Sequence, residues 1–140
     1  MQIKRAGWLG FAIALFAGCV SIPPPSTSDG RAITSGFQDK VRQDGELNTI
    51  VLGIGDAVPR DRGFRCPVVM NGKMWSDLTR PQQKRVLEKL GTHLQESLYA
   101  VQPAKPRNIV TLELYDDLRR LFGFLMAGGV DDGFTYHADR

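Results

Sequence analysis

The chemistry open to this 140-residue chain depends on a small set of side chains and on how they are spaced. His93 and His137 are the only histidines, and neither sits in a ligand-spaced cluster. Zinc requires several ligands converging tetrahedrally, so no metal and no cofactor is expected. Asp116-Asp117 and Asp131-Asp132 offer paired carboxylates for acid and base work. Adjacent acids more often cap helices and close turns, and no lysine, histidine or serine arrangement completes a mechanism around them. "VDDG" at 130–133 lacks the alternating oxygens of a calcium loop. "GIGDAV" at 53–58 begins like a dinucleotide loop, but Val58 stands where the third glycine belongs and Pro59 follows. Arg60, Arg62 and Arg65 around Asp61 form a local basic cluster, read either as a solvated loop or as a contact for phosphate or lipid headgroups.

The elements that must position these groups follow from periodicity. Ile33, Phe37 and Val41, spaced by four, fit one short helix within 31–46. "LNTIVLGIGDAV" at 47–58 alternates as a strand does, and 56–63 reads as a turn-rich loop. In "CPVVMNGKMW" two β-prone runs flank Asn71-Gly72, which predicts a tight hairpin. Thr79, Pro81 and Gln82 form a capping box ahead of a helix to about Ala100, with Leu87, Leu90, Leu94 and Leu98 as its core stripe. Residues 108–115 read as a strand, and Asp116 or Asp117 then opens a last helix through Met126. The expected fold is α+β: a small single domain with a three- or four-stranded sheet and about two helices packed on one face.

One softer clue concerns recognition. Trp75 lies beside the expected hairpin, and Phe122, Phe124 and Met126 nearly encircle the expected last helix. A helix apolar on more than one face must be buried or docked, so Trp75, Phe122, Phe124 and Met126 form a candidate partner surface, with core packing as the alternative. Phe134 and Tyr136 alternate near the C-terminus, read as an edge strand or as a fraying end.

The first thirty residues carry a separate message. Lys4 and Arg5 precede an apolar stretch from Ala6 to Ala17, too short to span a bilayer core of about 30 Å at about 1.5 Å per residue. The stretch ends in Phe16-Ala17-Gly18-Cys19. This resembles the lipobox of bacterial lipoproteins, although that family prefers leucine or another aliphatic residue where Phe16 stands. The resemblance covers residues 1–20 only. It implies that Cys19 becomes a diacylglyceryl cysteine, that a peptidase cuts between Gly18 and Cys19, and that the new amine receives a further acyl chain such as palmitate. Val20 follows the cysteine, where aspartate is the usual inner-membrane retention signal, so the resemblance implies an outer-membrane destination facing the periplasm. Pro23-Pro24-Pro25 and Ser26 to Gly30 then read as a polar tether.

Four segments are expected: a cleaved signal peptide at 1–18, a lipidated N-terminus and flexible tether at 19–45, a periplasmic α+β domain at 46–127, and a C-terminal tail at 128–140. Removing Lys4 and Arg5 lowers the 18 basic residues to 16 against 15 acids, a net charge of +1 in place of +3. Most of the electrostatic case for nucleic acid disappears with them, and none is expected as a partner. With Cys19 in a thioether, Cys66 is left alone, as a small buried residue, a bridge to another chain or a reactive thiol. The expected function is that of a non-catalytic component of an envelope assembly, such as a secretion, conjugation or surface machine. It would be held at the membrane by lipid and paired with an envelope protein. A lipid-anchored hydrolase and a glycan- or lipid-binding module are the alternatives.

Overall fold

The computed structural model describes residues 22–130 and 132–139; the signal-like segment, Phe16 to Cys19 included, lies outside them. The fold begins nearer the N-terminus than the expected boundary at 46. Helix α1 (Thr27–Gln43) starts at Ser26, whose side chain accepts the Asp29 amide, and buries Ile33, Phe37 and Val41. Much of the expected tether is therefore core-forming helix. Asp44 caps the next helix, α2 (Gly45–Ile50), by accepting the Leu47 amide. The strand expected over 47–58 divides into the end of α2, β1 (Val51–Ile54) and β2 (Val58–Arg60).

Strand β3 (Gly63–Met70) runs up to Asn71, where the expected Asn-Gly hairpin is absent. Asn71 has φ −69°, outside the left-handed region that such a turn needs, and its side chain accepts the Met74 amide to cap α3 (Gly72–Asp77). The tight two-residue hairpin lies instead between β2 and β3, where Arg60 pairs with Gly63 and Asp61 takes φ 53°. Helix α4 (Arg80–Val101) opens on the expected capping box: Thr79 accepts the Gln82 amide at 3.3 Å and its own amide donates to Gln82 Oε1 at 2.8 Å. Its leucine stripe faces the sheet, with Leu90, Leu94 and Leu98 essentially inaccessible.

The predicted last helix is a strand. After β4 (Arg107–Asp116), the Asp116 carboxylate accepts the Leu118 and Arg120 amides, each at 2.9 Å, and closes a turn into β5 (Leu121–Gly129). The apolar run is apolar on two faces because a strand alternates: Leu125 and Ala127 enter the core while Phe124 and Met126 point the other way. The segment expected as a tail contributes β6 (Phe134–Ala138), paired antiparallel with β5.

The single α+β domain thus has four helices among the described residues and a six-stranded sheet ordered β1-β3-β4-β5-β6, with β2 also on β3. The three or four strands and two helices expected from sequence are an undercount. β3 and β4 are parallel, joined through α3 and α4, and the other pairs are antiparallel. The long helices α1 and α4 pack together and cover one sheet face. Phe64, Cys66, Val68 and Met70 of β3, with Val110, Leu112 and Leu114 of β4, form the core beneath them. The opposite face presents Arg65, Thr111, Glu113, Phe124 and Met126. Among the described residues no helix is long and apolar enough to cross a membrane.

Candidate functional site: an aromatic cleft between α3, α4 and β6

Two glycines let β6 come close enough to build a cleft. A Cβ on Gly91 of α4 would lie 2.4 Å from the Phe134 ring, and one on Gly123 of β5 would lie 2.6 Å from the Tyr136 ring. Both rings therefore lie where larger residues on α4 and β5 would stand. On the other side α3 carries Trp75, whose ring lies 5.3 Å from that of Phe122, tilted by 33°. Gln83 fixes the loop beyond it by donating to the Trp75 carbonyl at 2.9 Å. Phe122 reaches this side through the register shift at Leu114/Tyr115, which turns it away from Phe124.

The resulting cleft has a volume of about 610 Å³. Trp75, Leu87, Phe122, Phe134 and Tyr136 make its apolar walls, and Arg80, Lys84 and Glu88 stand at its rim. Lys84 and Glu88 are 3.9 Å apart on one helix face, whereas Arg80 enters no ion pair among the described residues. Burial raises the Tyr136 pKa, which keeps the phenol neutral, and its hydroxyl is directed at the Phe122 carbonyl. An apolar floor with a charged rim suits an apolar side chain or a flat ring, with affinity from desolvation and orientation from the rim.

The structure divides the surface expected from sequence. Trp75 and Phe122 meet in the cleft, while Phe124 and Met126 lie half-buried on the opposite sheet face. Leu87, Phe134, Tyr136 and Arg80 complete the site and were not expected there. Their available signal was the Phe134/Tyr136 alternation, which fixes a common face only if the segment is a strand. Cys19 lies outside the described residues.

Several other ionisable groups hold elements together. His93 Nε2 lies 3.2 Å from Asp44 Oδ2, tying α4 to the α1–α2 junction. Desolvation tends to raise the Asp44 pKa, but the bonds from His93, the Leu47 amide and Lys89 outweigh it and the net shift is downward. Asp117 accepts the Gly72 amide at 2.9 Å, and Asp132 binds Lys105 at 2.6 Å. The arginine cluster is divided: Arg65 pairs with Glu113 at 3.2 Å on the open sheet face, while Arg62 lines a groove with Pro23 to Pro25. Cys66 is buried, and its Sγ–H donates to the Gly55 carbonyl at 3.1 Å. Desolvation, reinforced by Asp56 and Glu113, pushes the thiol up to about 12, so it stays protonated at neutral pH. Among the described residues no group of three or more His, Cys, Asp or Glu is placed to hold a metal ion.

No protein-family model matches the chain, and neither a curated protein nor a solved structure matches it.

Proposed function

We propose that this chain is an outer-membrane lipoprotein, anchored through Cys19 and facing the periplasm, whose domain binds another envelope protein and does no chemistry of its own. The observation that carries the recognition half is the Trp75–Phe122 cleft: half-buried aromatic walls, open to solvent, with Arg80 at the rim in no ion pair among the described residues. Aromatic anchors around a desolvated pocket are the usual centre of a protein interface. The membrane half is supported by Phe16-Ala17-Gly18-Cys19 and by Val20 after it. The histidine, thiol and carboxylates discussed above hold elements together, which favours binding over the alternative of an anchored hydrolase.

The test places a photo-crosslinking amino acid at Lys84, an exposed rim position, in the protein expressed in its own host. The expected result is a discrete envelope-protein adduct from Lys84 and none from His137, which lies on the other sheet face. Adducts only to glycan strands or lipid, or equal adducts from both positions, would contradict protein recognition by the cleft.

A further inference from the structure

The chain is pinned to the domain very close to the proposed lipid. Asn108, fully buried at the start of β4, donates through Nδ2 to the Pro23 carbonyl at 2.7 Å and to the Arg62 carbonyl at 3.1 Å. Its Oδ1 accepts from Gln102 at 2.8 Å, and Gln102 also holds Asp29 of α1 at 3.2 Å. Four steps separate Pro23 from Cys19, and whatever conformation they take they span at most about 14 Å. A tether of 27 residues would let the domain search widely, and one this short does not.

The pole that carries Asn108 suits such proximity. Ile22, Ile109 and Val130 are 47%, 43% and 70% exposed, three of the chain's exposed large apolar side chains gathered around the point where it enters the domain. Ile109 lies beside Gly129, and Ile22 lines one groove with Asp61 and Arg62. Arg60 and Arg62, flanking Asp61 in that turn, join no ion pair among the described residues. Apolar side chains with adjacent arginines match the boundary between acyl chains and phosphate headgroups. The Trp75–Phe122 end of the cleft lies toward the other end of the sheet: Tyr115 pairs with Leu121 beside Phe122, and the seven steps from Asn108 to Tyr115 along β4 advance about 23 Å, whereas Phe134, paired with Ala127 opposite Val110, marks the cleft's nearer end.

Resting on the Cys19 reading above, we infer that the Ile22–Arg62–Ile109–Val130 pole lies on the phospholipid surface, so that the short anchor and this patch together hold the Trp75 cleft facing away from the bilayer. The partner at this pole is the membrane itself, and the surface is an orienting device as well as an attachment.

The experiment uses the full-length protein purified from its host, its mass confirming acylation, reconstituted into phosphatidylethanolamine–phosphatidylglycerol vesicles with or without brominated acyl chains. Trp8 and Trp75 are the only tryptophans, so a chain cut before Cys19 retains Trp75 alone. Val130→Trp and Leu118→Trp add matched probes at similarly exposed positions on opposite poles, 70% and 68% exposed. Bromination should quench the emission added by Val130→Trp at least about twofold, and leave both Trp75 and the emission added by Leu118→Trp unchanged. Equal quenching of the two added probes, or quenching of Trp75, overturns the orientation while leaving the anchor intact. A chain that carries no acyl group overturns the anchor and the orientation together.

Discussion

Replacing Asn108 with leucine tests how firmly the N-terminal chain is fastened. The side chain is fully buried and makes three hydrogen bonds, to Pro23, Arg62 and Gln102. Leucine conserves the volume and removes every partner. Gln102 Nε2 keeps Asp29, and the two carbonyls are only partly buried and regain some water, so the loss falls below the full cost of three orphaned groups. At about 1 kcal/mol per exchanged bond and up to about 3 for a group left dry, Asn108→Leu should destabilise the domain by about 2–4 kcal/mol. With a urea slope of about 1.5 kcal/mol/M, the midpoint falls by about 1.3–2.7 M at unchanged slope. Amide exchange at Asp29 and Gly30, whose N–H groups donate to Ser26, should accelerate more than exchange at Leu112, in the core of β4. A midpoint within about 0.3 M of wild type, with exchange at Asp29 and Gly30 unaltered, would refute the claim that Asn108 pins the tether.

Other expectations follow from the same contacts. Gly91→Ala adds helix propensity of up to about 1 kcal/mol but drives a Cβ into Phe134, so thermal denaturation should show a net loss of about 1–2 kcal/mol, with early proteolytic loss of β6. Asp44 has a depressed folded pKa, so its stabilisation is present above the ordinary value of 3.8 and is lost as pH falls below that value through the folded one. Asp44→Asn keeps a capping oxygen but removes the charge, and the urea midpoint of this variant should fall less steeply than wild type below pH 3.8. Cys66, held near pKa 12, should resist alkylation at pH 8 in the native protein and react fully in guanidinium. Rapid native labelling of Cys66 would contradict its burial.

Local signals announced some elements clearly. The Thr79–Gln82 box and the leucine stripe predicted α4 to within a residue, because a reciprocal cap and a 3.6-residue period admit little else. The alternating Val110, Leu112 and Leu114 likewise marked β4. Where the sequence misled, two physical solutions shared one composition. Asn71 accepts a left-handed turn or caps a helix with its amide oxygen, and the tertiary path selected the cap. The run Leu121 to Met126 reads as an all-round apolar helix or as a strand with two apolar faces, and only the Asp116 turn and pairing with β4 decide between them. α1 was legible only in part: Ile33, Phe37 and Val41 marked a short helix within 31–46, whereas its first turn, back to Thr27, hid in the expected tether because Ser28 and Gly30 carry no apolar period. Gly30 is nonetheless required by contact, since a Cβ there would meet the Ala57 carbonyl. Half of the candidate cleft was similarly hidden: Trp75 and Phe122 stood out as aromatics, but Phe134 and Tyr136 join them only through β6, which pairs at the end of a long chain of long-range contacts.

Intact mass spectrometry of the chain extracted from its own host's membranes bears most directly on lipid anchoring. The expected species begins at Cys19, and its mass exceeds that of residues 19–140 by a diacylglyceryl group and a further acyl chain. A chain that keeps Met1, or one cut elsewhere and free of lipid, would contradict it.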